Sequence, residues 1–371
     1  MSLGQACIAF TGGGTGGHIY PGIAVIECLR ESFEGQIVWI GSGKPIERQA
    51  VESAGIEFLP IPSGKLRRTL SLSNVSDAFR TAAGFIASRH ILRDLRPALL
   101  FSKGGYVSVP PCLAAASLGI PFFTHESDLS PGLATRLNAR KAAAILLGWE
   151  ETLQHVPESW RSRAIVTGNP VRAALRKGDA AVGKAWLGFP DDGPIVLVLG
   201  GSQGARQIND LVNGILPSMR GKARIAHQTG PDNEARSGND PWYRSFNFAH
   251  TELADIMAAA DIIVGRAGAG TISEAVAAGK SLILVPLTGA TRGDQVENAR
   301  LLERHGAAMV LEGREAVPAA LQSTIQALLA STEARRNLTT RAAGLVRADA
   351  AGYIAQLILE RLRLYQDANA S

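Results

Sequence analysis

The sequence lacks the marks of several common catalytic classes. Its 371 residues include three cysteines, Cys7, Cys28 and Cys112, each in an apolar setting without metal-ligand spacing. Neither a disulfide framework nor a zinc site is therefore expected, and a reduced cytoplasmic setting is. No Asp-x-Asp occurs, which disfavours a metal-dependent nucleotide-sugar enzyme. No G-x-x-x-x-G-K-[ST] occurs either, which argues against a P-loop nucleotidase. The longest apolar runs are short, such as Ala142–Trp149, well below the ~18 residues of a membrane span. Met1-Ser2-Leu3 leads straight into a strand-like segment without signal-peptide architecture. Charged residues are 19% of the chain and apolar ones 46%, which excludes a disordered chain and allows well-filled cores.

Charge of one sign is scarce except in one place. Lysine and arginine number 38 against 33 aspartates and glutamates, a net charge of +5. Between Gly64 and Arg96 stand Lys65, Arg67, Arg68, Arg80, Arg89, Arg93 and Arg96 against Asp77 and Asp94. That window carries the whole excess, leaving 31 of each sign elsewhere. A nucleic-acid binder basic over its whole surface does not look like this, and no nucleic-acid partner is expected.

Glycine is abundant, 40 residues, and is placed after short apolar runs. Ala6–Phe10 opens into Thr11-Gly-Gly-Gly-Thr-Gly-Gly-His18 and a helix-like stretch. Gln36–Ile40, Ala98–Phe101, Pro121–Thr124 and Ala142–Leu147 repeat the strand-then-turn pattern. It restarts at Pro194–Leu199, which enters Gly200-Gly-Ser-Gln-Gly-Ala205, followed by strands at Arg224–His227, Asp261–Val264 and Ser281–Val285. Buried strands alternating with Ala/Leu helices indicate parallel βαβ units. The expected fold class is α/β, with two similar doubly wound domains. Thr167-Gly-Asn-Pro-Val-Arg172 is the junction, because Asn-Pro disfavours helix, and Gly352–Tyr365 reads as an amphipathic helix.

Candidate chemistry follows the glycine turns. Gly12–Gly17 fits G-x-G-x-x-G, but the strand ending at Gly41-Ser42-Gly43 supplies no acid for a NAD ribose. A dinucleotide oxidoreductase is therefore a minor alternative. His18 is either a hydrogen-bonded core histidine or a functional imidazole at a strand's carboxyl end. Glu126, beside His125, is either functional or a cap for a helix beginning near Pro131. Gly268-Ala-Gly-Thr-Ile-Ser-Glu274 brings backbone amides, hydroxyls and a carboxylate to a helix start, suiting a diphosphate and a ribose. The plainer reading is a capping box, Thr271-x-x-Glu274. Arg172 and Arg266 are candidate phosphate partners, and Thr291–Asn298 is either a sugar reader or a solvated loop.

Seven ordered motifs then resemble one family. They are GGGTGGHIYPGIAV (12–25), KGGYVSVP (103–110), HESDLSPGLA (125–134), TGNPVR (167–172), GGSQGA (200–205), RAGAGTISEAVAAG (266–279) and RGDQVENA (292–299). The chain resembles the MurG family, bacterial undecaprenyldiphospho-muramoylpentapeptide β-N-acetylglucosaminyltransferases of peptidoglycan synthesis. The resemblance implies the GT-B fold, two Rossmann-like domains facing a cleft. An N-terminal acceptor and membrane-facing domain would span 1–168 plus the helix at about 350–371, and a UDP-GlcNAc domain 169–349. It implies inverting transfer of GlcNAc from UDP-GlcNAc to the MurNAc 4-hydroxyl of lipid I, giving lipid II, with no metal or other cofactor. A related nucleotide-sugar enzyme with another acceptor, a UDP-GlcNAc epimerase, and a catalytically silent binding protein are the alternatives.

By resemblance, Glu274 holds the ribose, and Ser202 with Gly268, Ala269, Gly270 and Thr271 holds the diphosphate. Arg172 sits beside the nucleotide, Phe248 and Ala249 read the uracil, and Asp294 and Gln295 contact GlcNAc. Thr15, Gly16, Gly17, Tyr106, Glu126 and Asp128 shape the acceptor side. His18 is the candidate general base or a close GlcNAc contact; a base is needed because a sugar hydroxyl must lose its proton as it attacks. Asp128 stands where the family commonly has an amide and is a second catalytic candidate; Asp294 stands where glutamine is common. The polyprenyl acceptor implies work at the cytoplasmic face of the bacterial membrane. There the window 64–96 interleaves cations with Leu66, Leu70, Leu72, Val75, Phe79, Phe85, Ile86 and Ile91. Anionic lipids attract such cations by about 1 kcal/mol each. The alternative is an ordinary amphipathic helix with its apolar side in the core.

Overall fold

The structure, a computed structural model, describes residues 6–64, 72–189, 192–201, 205–230, 240–288 and 293–370. It divides into two compact units, Met1–Pro170 with Asp349–Ser371, and Val171–Ala348.

The first unit is built on seven parallel strands: β1 Cys7–Thr11, β2 Gln36–Gly41, β3 Glu57–Pro60, β4 Leu99–Ser102, β5 Phe122–Glu126, β6 Ala144–Leu147 and β7 Ala164–Val166. Their order is β3-β2-β1-β4-β5-β6-β7. Most of these strands are buried along their whole length, as short runs of Ile, Leu, Val and Phe covered on both faces must be. Side chains alternate between two cores. Ile8, Phe10, Trp39, Leu99 and Phe101 join one, while Cys7, Ala9, Val38, Ile40 and Leu100 join the other. Phe10 lies opposite Trp39 and Phe101 in the ladder, with ring centroids 6.3 and 5.2 Å away.

The first core is closed by two helices from distant parts of the chain. Gly16–Leu29 contributes Ile19, Ile23 and Ile26, and Ala350–Ala370 contributes Ile354, Ile358 and Leu362. The expected amphipathic helix at Gly352–Tyr365 is thus longer and docks as part of this core. One helical stretch, Thr332–Leu364, has the length and hydropathy of a membrane span, where the sequence runs alone indicated none. It is interrupted between helices Thr332–Leu345 and Ala350–Ala370, and the second half is occupied with core packing.

The second unit repeats the plan with six parallel strands: β8 Ile195–Leu199, β9 Arg224–Gln228, β10 Tyr243–Phe246, β11 Ile262–Gly265, β12 Ser281–Leu284 and β13 Met309–Val310, ordered β10-β9-β8-β11-β12-β13. Both sheets reverse direction of winding at one place, β1/β4 in the first and β8/β11 in the second. In an open parallel sheet the crevice beyond the carboxyl ends of those two strands is where ligands bind.

Helix Leu72–Leu95 carries apolar side chains on two sides. Its buried positions include Asp77, Gly84, Ser88 and Leu92, while Phe79 and Ile86 are 73% and 57% exposed. Phe85 and Ile91 pack partly on the core. With Leu92 they give the helix an apolar side in the core, as the ordinary amphipathic reading expects, besides the outward Phe79 and Ile86. Lys65, Leu66, Arg67, Arg68 and Leu70 of the basic window lie outside the described residues.

Candidate functional site

In the first unit two glycine loops flank the reversal point: Gly12–Thr15 after β1 and Lys103–Gly105 after β4. Gly14 and Gly105 take left-handed backbone, φ +94° and +76°. A Cβ on Gly14 would lie 2.6 Å from the Tyr106 ring. A Cβ on Gly105 would lie 2.7 Å from the Gly13 carbonyl and 3.3 Å from the His18 ring. The glycines therefore let Tyr106 and His18 close onto the loops. Thr15 is the N-cap of helix Gly16–Leu29 yet makes no side-chain cap bond. Its hydroxyl instead lies 3.0 Å from His18 Nδ1 and orients the ring. Gly16 and Gly17 open the helix, so their amides carry its partial positive charge.

Burial, and then the neighbouring Lys103 ammonium, pull the His18 imidazole down to about 4, so it is unprotonated at neutral pH. Lys103, 1% exposed, donates from Nζ to Ser127 Oγ. Burial lowers its pKa to about 8 against the opposing pull of Glu126 and Asp128. The sequence carried Lys103 within a motif but gave no reason to single it out, since its burial comes from β4's position between β1 and β5.

At the end of β5, His125 pairs through Nε2 with the Gly168 carbonyl at 2.9 Å, and burial pushes its pKa well below the usual range. Glu126 accepts three backbone N–H bonds, from Ser127 at 2.9 Å, Asp128 at 3.1 Å and Gly132 at 2.8 Å. Both carboxylate oxygens are thus engaged in shaping the turn before helix Leu133–Asn138, two residues later than the start expected near Pro131. Asp128, partly open, is held on that turn. The backbone of Ser127 is fixed in turn, its carbonyl accepting from Trp149 Nε1 and Asn169 Nδ2.

In the second unit the loops after β8 and β11 flank the equivalent point. Gly201 has φ +80°; Ser202, expected at a diphosphate, lies outside the described residues. Gly268 is the N-cap of helix Ala269–Ala277 and no side chain caps it, so the Thr271–Glu274 capping box does not form. The first-turn amides of Ala269, Gly270 and Thr271 consequently receive no side-chain cap bond. One turn on, Glu274 Oε1 stands 3.8 Å from Arg172 Nη2, both side chains about one-fifth exposed. Burial raises the Glu274 carboxyl's pKa and Arg172 opposes it. Arg266 is committed structurally, donating to Gln207 Oε1 at 2.7 Å and the Val285 carbonyl at 3.0 Å.

Gln228 was not foreseen. Its amide donates to the Gly201 carbonyl at 3.2 Å and accepts from the Ala249 N–H at 3.4 Å, tying the glycine turn to the 248–249 loop. Phe248 stands edge-on to His250, centroids 4.6 Å apart. Gln295 accepts the Leu287 N–H at 2.9 Å, and Asp294 begins helix Asp294–Arg304 after Gly293 at φ +91°. Thr291 and Arg292 lie outside the described residues.

Both units match known families. Residues 8–147 match the glycosyltransferase family 28 N-terminal domain, and 195–354 match its C-terminal domain. A Treponema denticola UDP-N-acetylglucosamine–N-acetylmuramyl-(pentapeptide) pyrophosphoryl-undecaprenol N-acetylglucosamine transferase is 46% identical over 84% of this chain and 85% of its own. Among solved structures, Acinetobacter baumannii MurG superposes with a TM-score of 0.71 at 22% identity, covering 96% of this chain and 99% of that one. A UDP co-structure of Staphylococcus aureus MnaA gives 0.72 at 11% identity, covering 97% and 98%. These structural likenesses establish the two-domain GT-B fold. The sequence identity goes further, and the chain belongs to glycosyltransferase family 28, within its MurG branch.

Proposed function

We propose that this chain transfers GlcNAc from UDP-GlcNAc to the MurNAc 4-hydroxyl of lipid I with inversion, forming lipid II. The observation that carries the reading is the pair of glycine loops, each at the reversal point of its own sheet and each bearing a different chemistry. The second unit offers helix-terminal amides, a ribose-binding carboxylate at Glu274 and a cation at Arg172, which suit a nucleoside diphosphate. The first unit offers an unprotonated imidazole among glycines, which suits a hydroxyl acceptor.

His18 is the general base. With Nδ1–H donating to Thr15, Nε2 carries the lone pair that takes the 4-hydroxyl proton. The attacking oxygen then forms its bond to the anomeric carbon as the bond to UDP breaks. In the donor, Arg172 and the amides of Ala269–Thr271 offset the charge that develops on the leaving diphosphate. The reaction read this way uses no metal, and turnover should persist in EDTA.

The test is incubation of the protein with UDP-GlcNAc and a lipid I analogue, reading UDP release and labelled GlcNAc in the lipid extract. His18→Ala should lower kcat by about 10²–10⁴; a loss below tenfold removes His18 as the base. The enzyme works at the cytoplasmic face of the membrane, where helix Leu72–Leu95 presents Phe79, Ile86 and Arg93 at seven-residue intervals along one exposed stripe.

A further inference from the structure

An ammonium group buried to 1% exposure is costly unless its surroundings answer its charge. Lys103 is such a group, and its place is not incidental. It leaves β4 at the reversal point, lies against Gly12, and donates to the Ser127 hydroxyl. Two carboxylates face it from the end of β5, Glu126 and Asp128. Glu126, the larger of the two counter-charges, is also shared among three backbone amides, and Asp128 adds to it. On the other side stands His18, whose ring approaches the same loop closely enough to sit 3.3 Å from a Cβ built on Gly105.

We propose that Lys103 is a positioning residue of the acceptor site. Its ammonium holds the Ser127–Asp128 turn and sets the charge felt by His18, so that His18 accepts a proton readily only when a diphosphate occupies the glycine loops beside it. This rests on the reading of His18 as the base, and deepens it.

The physical argument is one of charge balance. Burial first, and the Lys103 cation second, disfavour the imidazolium, so the free site holds His18 neutral but makes it a weak proton acceptor. The remaining charged or titratable groups around it do little to reverse this. His125 is neutral and hydrogen-bonded to Gly168. Glu47 lies beneath Gly13 and is turned to Ser42, whose amide it accepts at 3.1 Å. Lys44, over the Tyr106 ring, adds another positive charge. A dianionic group placed at the amides of helix Gly16–Leu29 reverses the sign of the local field. It offsets Lys103, stabilises the imidazolium that forms during transfer, and so couples acceptor binding to base strength.

The experiment follows the His18 ring by NMR between pH 5 and 8, its signal assigned with His18→Gln. UDP is kept saturating so that inorganic pyrophosphate reports on the first unit. In the unmodified protein His18 should stay neutral throughout without pyrophosphate and begin to titrate within the window when it is added. In Lys103→Met the ring should titrate at higher pH than in the parent without pyrophosphate and gain less when it is added, while Lys103→Arg should behave as the parent. UDP affinity, a property of the second unit, should be the same in all. Equal His18 titration in parent and Lys103→Met overturns the proposal, as does a parent ring indifferent to pyrophosphate. Neither result depends on turnover, so failure here leaves the His18→Ala activity test to judge the base assignment separately.

Discussion

Gly105→Ala tests the close approach on which the acceptor site depends. Backbone and contact both bear on it, and a second glycine gives the left-handed cost alone. Gly105 and Gly119 both have left-handed backbone, φ +76° and +70°. Alanine at Gly119 pays the left-handed penalty of about 1–2 kcal/mol, or roughly 2–8 °C in Tm for a unit of this size, while at Gly105 the ψ of 161° adds a backbone region nearly confined to glycine. At Gly119 nothing lies within 4 Å of the new methyl group, so that penalty is the whole effect. At Gly105 the methyl group meets the Gly13 carbonyl at 2.7 Å and the His18 ring at 3.3 Å. The loops must part by several tenths of an ångström, and the ring, held by Thr15 alone, moves with them. Displacement of a reacting group by about 1 Å can cost about 10²-fold in rate. Gly105→Ala should therefore lower kcat by about 10- to 100-fold, with Gly119→Ala within twofold of the parent. Initial rates of UDP release with a lipid I analogue at saturating donor, beside thermal unfolding of both variants, provide the measurement. A kcat for Gly105→Ala within twofold of that for Gly119→Ala would refute the reasoning, because neither the backbone at Gly105 nor the methyl contact would then govern the ring.

Three other outcomes follow from the geometry. The pH dependence of kcat/KM reports the free enzyme, where His18 loses its proton near 4, so no acid limb should appear at the ordinary imidazole value of 6.5. Because bound acceptor favours the protonated ring, the acid limb of kcat should lie at higher pH than that of kcat/KM; coincident limbs contradict this. On the proposed ribose role, Glu274→Ala should raise the Kd for UDP about 10- to 150-fold by calorimetry, the loss of charge-assisted bonds worth about 1.5–3 kcal/mol. An unchanged Kd would place the ribose elsewhere. Replacing both Phe79 and Ile86 with glutamate should abolish flotation with anionic vesicles while leaving turnover of a soluble acceptor analogue intact, since neither side chain is in the core; undiminished flotation would remove this helix as the membrane contact.

Much of this architecture was legible in the sequence because its signals are local. A strand of Ile, Val and Phe ending in glycines needs no partner to be recognised, and the restart after Pro194 showed that the plan is used twice. The seven motifs named the family for the same reason. What could not be read was how polar groups divide among partners. Glu126 in HESD reads as either a functional group or a helix cap, and only the turn after β5 shows that three amides, Gly132 at the helix start among them, reach it. Thr271 and Glu274 have capping-box spacing, but the helix begins at Ala269, which puts Glu274 a turn too deep to cap it. Lys103 and Gln228 were passed over for the complementary reason. Neither type is distinctive in a loop, and only strand order reveals that one is buried between the ends of β1 and β5 and the other bridges two loops.

The two cores also differ in when they can close. The chain leaves the first unit at Pro170, builds the whole second unit, and returns at Asp349. The returning helix supplies Ile354, Ile358 and Leu362 to the face on which helix Gly16–Leu29 lies. A nascent chain therefore completes its donor-binding half from contiguous sequence, while the helix that carries His18 stays unsupported until residues some 330 positions later have been made. Synthesis order thus imposes a sequence of competence on the enzyme. A chain that ends before Asp349 holds the whole second unit but lacks the helix that closes the first core, and any tag or truncation near residue 350 acts on the packing behind helix Gly16–Leu29.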